Sequence, residues 1–506
     1  MDQFATMKNI QQVLVIATAL FVTGGDGIQA AEPIDVGSGK QLILDGLFLA
    51  ESRGVSLKIH PPRKTGDAIL RREHEWESAS LNWFNVVQDQ GRIDRRAKYR
   101  MWYEAYDVDG WPTANDTSFC YAESRDGIRW TKPVLQMFSY KGSDRNNILF
   151  RQIGSKALGN RSRVHGTGVF IDTHASPKAR YKAVGQGLFV RPGQRPHRIA
   201  GMYSADGLKW TRLPKPIIDV FADSQYSGFW DASRKRYVVY GRVGGRGRSL
   251  GRSESADFAR LEPLKLVAQT SDRDPPNSDL YNSAALKYAH APNVYLMFPS
   301  LFQHGPDTLD IRLAVSRDGI RWSRPDRKTA FIALGKGNVF DSGSLYMGQG
   351  MIRVGDELWL YYSGSPLRHQ GAELENLTKP ENARVYSRVV ARLDRFVAAT
   401  AGPKGGSFTS PPLRFAGNRL HLNVRVRSGG RMRIGLLDAE GRPLPKFSVS
   451  ECVPITGDSL SKAVEWKGGS DVGARATKPT RLRIEMSDAR LFGFQFRSGK
   501  SQGKTR

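Results

Sequence analysis

Two carboxyl groups in unlike surroundings can divide acid and base work, because burial raises one pKa while a nearby cation lowers the other. This chain sets four acidic residues at comparable points of its pattern: Glu77 in HEWESASLNW, Asp223 in FADSQYSGFW, Asp279 in NSDLYNSAAL and Asp341 in NVFDSGSLY. Each stands just ahead of a run that reads as a β-strand. Strands gathered about one axis would bring the four together. A single aspartate in such a place is more often a turn cap, and the recurrence is what favours a shared site. Residues suited to holding a ligand lie nearby: Trp83 as a stacking platform, His165 in RVHGTGVF, Tyr281 and Asn282 after Asp279, and His304 and His369, each just past a strand. The glycine-rich RVGGRGRSLGR crowds Arg242, Arg246, Arg248 and Arg252. Arg246 and Arg248 are the expected grip on a sulfate or carboxylate, since a guanidinium bonds such groups with two parallel N–H donors. No spacing of histidines and cysteines suits a metal, and no cofactor is expected.

The elements that must position these groups come from a repeat. SRDGIRW occupies 124–130, SADGLKW 204–210 and SRDGIRW again 316–322, with a worn SESADF at 253–258. Asp-Gly makes a tight turn between strands, because glycine tolerates positive φ and the aspartate bonds turn amides. Asp126, Asp206 and Asp318 are accordingly expected to be structural. Strand-like runs precede each copy: KYRMWYEAY, RYKAVGQGL, RYVVYGRV and NVYLMFPSL. A fifth unit, SGSLYMGQGMIRVGDELWLYYSG, keeps the strand-turn-strand shape without the motif. Helical periodicity is hardly visible. The fold class is all-β: a five-bladed β-propeller followed by a C-terminal β-sandwich. The propeller is expected over 31–402, with KQLILDGLFLAESRGVSLKIHPP closing the ring. The sandwich is expected over 403–497, and a basic tail over 498–506.

The composition, 40% hydrophobic with 10% aromatics, supports a large core. A formal net charge of +27 favours anionic partners. No nucleic-acid motif is present. The start of the chain reads as an export signal: MKNIQQ from Met7, then the apolar VLVIATALFV, then TGGDGIQA closing on Ala30. The apolar run is about half a bilayer span, so residues 1–30 read as a signal peptide, with no membrane span and a secreted or periplasmic product. Export argues against a nucleic-acid partner. It permits a disulfide between Cys120 and Cys452 without requiring one.

The phrases YRMWYEAYD, CYAESRDGIRWTKP, YNSAALKY, IRLAVSRDGIRW and GDELWLYYSG resemble exported bacterial five-bladed propeller proteins related to glycoside hydrolase families 32, 43 and 68. The resemblance implies a carbohydrate substrate and paired-carboxylate catalysis in the propeller channel. It does not carry catalytic positions across. The Asn-Asp-Pro-Asn-Gly string of family 32 is absent, Arg273–Pro275 falls in the fourth unit rather than the second, and Glu451–Cys452 falls in the sandwich. The repeated turn also resembles the Asp box of sialidases, one residue shorter. The expected function is a glycosidase acting on an extracellular anionic or sulfated glycan. A non-catalytic glycan-binding propeller and a cell-surface scaffold are the alternatives. N-terminal sequencing of protein from its native host is expected to begin near Ala31, and an intact Met1 or Met7 would contradict export.

Overall fold

The computed structural model describes residues 32–499 apart from 90–97, 110–116, 153–163, 190–192, 194 and 371–373. The export segment and most of the basic tail lie outside the described residues. The chain is β almost throughout, with short helical turns. Among the described residues, no helix is long and apolar enough to cross a membrane.

Five successive antiparallel units follow residue 80. The first comprises Ser80–Gln88, Tyr99–Tyr106, Thr117–Ser124 and Ile148–Gln152. The second comprises Gly168–Ile171, Tyr181–Leu188 and His197–Ser204, with Thr211–Arg212 and Ile218–Phe221 outside. The third comprises Ser227–Asp231, Arg236–Gly245, Gly247–Ser255 and Lys265–Ala268. In the fourth the ladder breaks into an upper sheet, Ser278–Leu280, Ser300–Gln303 and Thr308–Ile311, and a lower one, Ala285–Lys287, Tyr295–Met297, Ala314–Ser316 and Trp322–Ser323. The fifth comprises Ser344–Val354, Glu357–Ser365 and Val385–Arg392, and its outer strand is Arg63–Lys64 from the other end of the chain. The units pack in sequence order, and the fifth returns to the first through the parallel pairing of Gln349 with Asn85. Second strands such as Tyr99–Tyr106 and Tyr181–Leu188 are buried at every position. A neighbouring unit covers each face, which suits their β-branched and aromatic content.

The C-terminal sheet is built on two long strands, Arg419–Leu437 and Arg481–Arg497. Three N-terminal strands, Gln41–Leu42, Glu51–Arg53 and Ser56–Ile59, pair with it rather than with the fifth unit. No strand of the stretch expected to close the ring pairs with the fifth unit; Arg63–Lys64, just past it, does. The apolar residues of 41–59 divide between two cores: Ile43 and Phe48 join Leu422, Ile434 and Phe494, whereas Leu42, Leu44 and Ile59 pack with Leu345, Leu360 and Val389 of the fifth unit. Cys120 and Cys452 are both buried and unbridged.

The repeated turns have one geometry. In the first, Asp126 Oδ1 accepts the N–H groups of Ile128 (2.9 Å) and Arg129 (2.8 Å), while Ser124 Oγ accepts that of Gly127 (2.8 Å). The turns at Asp206 and Asp318 repeat these bonds. Gly127, Gly207 and Gly319 have φ of 76°, 73° and 72°. Each glycine carbonyl then takes a bond from the second strand of the preceding unit: Gly127 from Tyr361 Oη (2.9 Å), Gly207 from Trp102 Nε1 (2.7 Å) and Gly319 from Tyr240 Oη (2.5 Å). A Cβ on Gly207 would lie 2.8 Å from the Trp102 ring. Glycine is thus required both by the turn and by the neighbour. Burial opposes ionisation of the three aspartates, but the N–H donors outweigh it and hold their carboxyls below the usual range.

Asp206→Ala is expected to lower stability by about 2 kcal/mol, the scale of hydrogen bonds to a charged group. Because the folded pKa is depressed, this contribution is present at neutral pH and is lost as pH falls through the acidic folded value. Thermal unfolding at neutral and acidic pH checks both, and a wild-type melting temperature for the variant would show that the turns do not hold the units.

Candidate functional site

Antiparallel pairing puts the starts of the first strands and the ends of the second strands on one face. The axis below that face is crossed by side-chain amides. Asn85 donates to Thr167 O (2.7 Å) and accepts from Val169 N (2.9 Å). Asn282 donates to Gln225 Oε1 (2.8 Å), and Gln225 donates to Met347 O (3.2 Å). Gln349 donates to Tyr226 O. The axis is therefore packed, and Asn282, expected to touch substrate, is spent inside this layer.

Above the amides lies an aromatic floor. The rings of Trp83 and Tyr346 stand 4.8 Å apart, and those of Tyr281 and Tyr346 5.5 Å apart. His369 lies 5.0 Å from Tyr281 and 4.6 Å from Phe302. Burial, then Arg248, lowers the His369 pKa to about 4, so its ring is neutral at physiological pH. Arg242 and Arg248 lie over the Tyr281 ring at 4.3 and 5.2 Å, and Arg384 lies over Tyr346 at 4.9 Å.

Three carboxylates face this floor or flank it. Asp223 Oδ2 accepts from Arg242 Nη1 (2.5 Å), and Oδ1 lies 3.4 Å from His165 Nε2. The other ring nitrogen of His165 lies 3.2 Å from Tyr106 Oη and 3.8 Å from Glu104 Oε2. Glu104 is buried and accepts from Thr167 N (3.2 Å). Burial alone would raise the Asp223 pKa, but His165, Arg242 and the Ser224 N–H together push it far below the usual aspartate value. Asp279 Oδ2 is shared by Arg248 Nη1 and His304 Nε2, both at 2.9 Å. A cleft of about 480 Å³ opens here, lined by Asp223, Arg242, Arg248 and Gly247 and by the apolar Val220, Phe221, Val243 and Leu264. Gly247 sits at the hairpin tip with φ 67°, and a Cβ there would fall 1.8 Å from Asp279 Oδ1. The hairpin therefore closes down on that carboxylate.

Trp83, His165, Asp223, Arg248, Asp279, Tyr281, His304 and His369 thus meet at one mouth. The remaining expected residues lie elsewhere. Glu77 is fully buried at the edge of the first unit, where it accepts from Glu73 N (2.8 Å), Tyr103 Oη (2.7 Å) and Lys132 Nζ (2.8 Å). It anchors the loop leading into the strand instead of facing the axis. Asp341 binds Lys64 Nζ (2.6 Å) and Tyr362 Oη (2.8 Å), pinning the strand that completes the fifth unit. Arg246 pairs on the open surface with Asp272 (2.6 Å), out of the Asp223 cleft. Glu104, Arg384 and Tyr346 belong to the mouth and were not expected from the sequence. Glu104 carried a signal: it is a carboxylate within the aromatic strand YRMWYEAY, where an acidic residue needs a reason.

No protein-family model matches the sequence, and no curated protein does. Solved structures give distant likenesses. A glycosyl hydrolase from Bacteroides ovatus is 14% identical with a TM-score of 0.42, over 71% of this chain and 98% of that one. A structure of the GH130 family of mannoside phosphorylases and glycoside hydrolases is 14% identical with a TM-score of 0.41, over 71% and 99%. The GH32 β-fructofuranosidase of Bombyx mori is 9% identical with a TM-score of 0.41, over 88% and 94%. At such distances the activity has to be read from the site itself.

Proposed function

We propose that the chain is an exported glycosidase built as a five-bladed β-propeller over 31–402 with a C-terminal β-sandwich over 403–497, the latter extended by the N-terminal strands of 41–59. Its substrate is an extracellular anionic glycan, and paired carboxylates at the channel mouth do the chemistry. The observation that carries this is the line Glu104–His165–Asp223. Two contacts and the width of one imidazole separate the carboxylates, so they lie no more than roughly 10 Å apart, against about 6.5–9.5 Å in inverting glycosidases and about 5–5.5 Å in retaining ones. Asp223 stays ionised, which suits a base or nucleophile. Asp279, braced by Arg248 and His304, is placed to orient the sugar. Tyr281 and the arginines above it supply a flat surface and positive charge for an acidic ring.

The alternative is a lectin-like propeller. The salt bridges Asp223–Arg242 and Asp279–Arg248 favour it to the extent that they occupy both aspartates. A glycan hydrolysis screen followed by amide substitution separates the two readings. Glu104→Gln, Asp223→Asn and Asp279→Asn keep size and remove charge. A true acid or base is expected to lose on the order of a hundredfold or more in rate. Full activity in all three variants would place the chemistry elsewhere, and binding without hydrolysis would decide for the lectin.

Glu77→Gln gives a contrasting outcome. It leaves Lys132, with 5% side-chain exposure, only the exposed Glu73 (3.1 Å) and Arg71 O (2.7 Å) as partners. About 2 kcal/mol of stability is expected to go, the scale of hydrogen bonds to a charged group, with the activity of the folded fraction unchanged. Denaturant unfolding checks the first part, and active-site-normalised rates check the second.

A further inference from the structure

Arg384 stands apart from the other arginines of the mouth. Arg242 and Arg248 each bind an aspartate, whereas Arg384 has no carboxylate partner among the described residues. Its hydrogen bonds are two long contacts to hydroxyls, Nη1 to Ser363 Oγ (3.3 Å) and Nη2 to Ser344 Oγ (3.2 Å). The ionisable groups that act on it are the tyrosines 346, 386, 281 and 106. A guanidinium has five N–H donors, so most of its capacity is unspent. Arg384 is partly exposed, and a partly desolvated cation without a counter-ion is costly to keep.

Its surroundings share the same surplus. Trp83, whose ring stands 4.8 Å from that of Tyr346, is 4% exposed, and its Nε1–H is buried with no acceptor among the described residues. An indole nitrogen can only donate. Nδ1 of His369 is likewise buried and unpartnered, and the ring is uncharged. Around the Tyr281–Tyr346 floor the cluster therefore offers unspent hydrogen-bonding groups and one positive charge that no carboxylate among the described residues neutralises, Asp223 and Asp279 being paired with Arg242 and Arg248.

We propose that Arg384, positioned by Ser344 and Ser363 and accompanied by Trp83, forms a subsite for the anionic substituent of the bound sugar, a carboxylate or a sulfate ester. This rests on the glycan reading above and deepens it: Arg242 and Arg248 are committed to the carboxylates of the mouth, and Arg384 is the residue left to select an acidic sugar. Either anion presents several acceptor oxygens to a planar fork, and the Tyr346 ring, 4.9 Å from the guanidinium carbon, together with the two serine hydroxyls, holds that fork in place.

Calorimetric titration with neutral, uronate-bearing and sulfated oligosaccharides of equal length tests this on the wild type, Arg384→Met and Arg384→Lys. The wild type is expected to bind one acidic class more tightly than the neutral one, and the class bound identifies the anion. Arg384→Met is expected to weaken that binding about 10- to 100-fold, the scale of a lost charge-assisted hydrogen bond, and to narrow or abolish the difference between acidic and neutral ligands. Arg384→Lys keeps the charge without the fork and is expected to fall between. Circular dichroism confirms that the variants are folded. The subsite is overturned if the wild type shows no preference for acidic ligands, or if Arg384→Met binds them as tightly as the wild type. Hydrolysis of a neutral glycan that is indifferent to Arg384 would remove the subsite while keeping the glycosidase reading.

Discussion

The bond from each repeated turn to the unit before it sets the rest of the structure. A four-stranded antiparallel unit has two faces to cover, and apolar contact alone would let neighbours slide. Here a glycine carbonyl, exposed by its own positive φ, is held by Trp102, Tyr240 or Tyr361 on the adjoining second strand. The Ser–Asp pair keeps the turn in shape so that the carbonyl points outward. At three of the five junctions one short motif therefore sets how neighbouring units dock and, through it, where their first strands begin.

That division separates stability from chemistry. The Asp-Gly turns join third to fourth strands, and antiparallel order puts them on the face opposite the mouth. The mouth is built from the other two sets of connections. Leads into first strands supply His165, Asp223 and, at the first strand itself, Asp279, while the ends and starts around the second-to-third connection supply Glu104, Arg242, Arg248, His304 and Arg384. Between the faces, Asn85, Gln225, Asn282 and Gln349 bond across the axis and close it. A substrate entering at the mouth would meet a floor, not a pore, and loops there can vary without disturbing the docking bonds on the far side.

The repeat was legible because turn chemistry is local: Ser, Asp, Gly and Trp sit within seven residues and their bonds are made among themselves. Asp223 and Asp279 were legible for a related reason, since a residue just ahead of an inner strand has little choice of face. Glu77 and Asp341 occupy the same position in the pattern and do otherwise. Each found a lysine distant in sequence, Lys132 and Lys64, and nothing in the local pattern announces such a partner. Arg384 was invisible for the opposite reason: what marks it is a missing partner, and an absence can be seen only once the neighbours are in place. The strands of 41–59 show the limit for topology. Gln41–Leu42 pairs with Arg481–Arg497, more than 400 residues away, and Glu51–Arg53 and Ser56–Ile59 pair with strands of 397–409, so no local pattern could have placed them.

The choice of arginine over lysine at the mouth follows from the floor it stands on. A lysine could neutralise Asp223 as a point charge, but it could not lie flat on Tyr281 while bonding two groups at once. Arg242 does both, at 4.3 Å from the ring centre, with one nitrogen on Asp223 and another on the Tyr281 carbonyl (3.0 Å). Its position is over-determined before any ligand arrives, and so is that of the carboxylate it holds. Arg248 repeats the arrangement on Asp279. Little reorganisation is then needed when charge develops on a bound sugar, the condition under which fixed dipoles and ions contribute most to a reaction. On the function proposed above, the overall charge of +27 would act at longer range, raising the local concentration of anionic chains in a way that added salt would screen. Long-range attraction cannot by itself distinguish one polyanion from another. On that reading the selection would fall to the few groups at the mouth whose hydrogen bonds are still open.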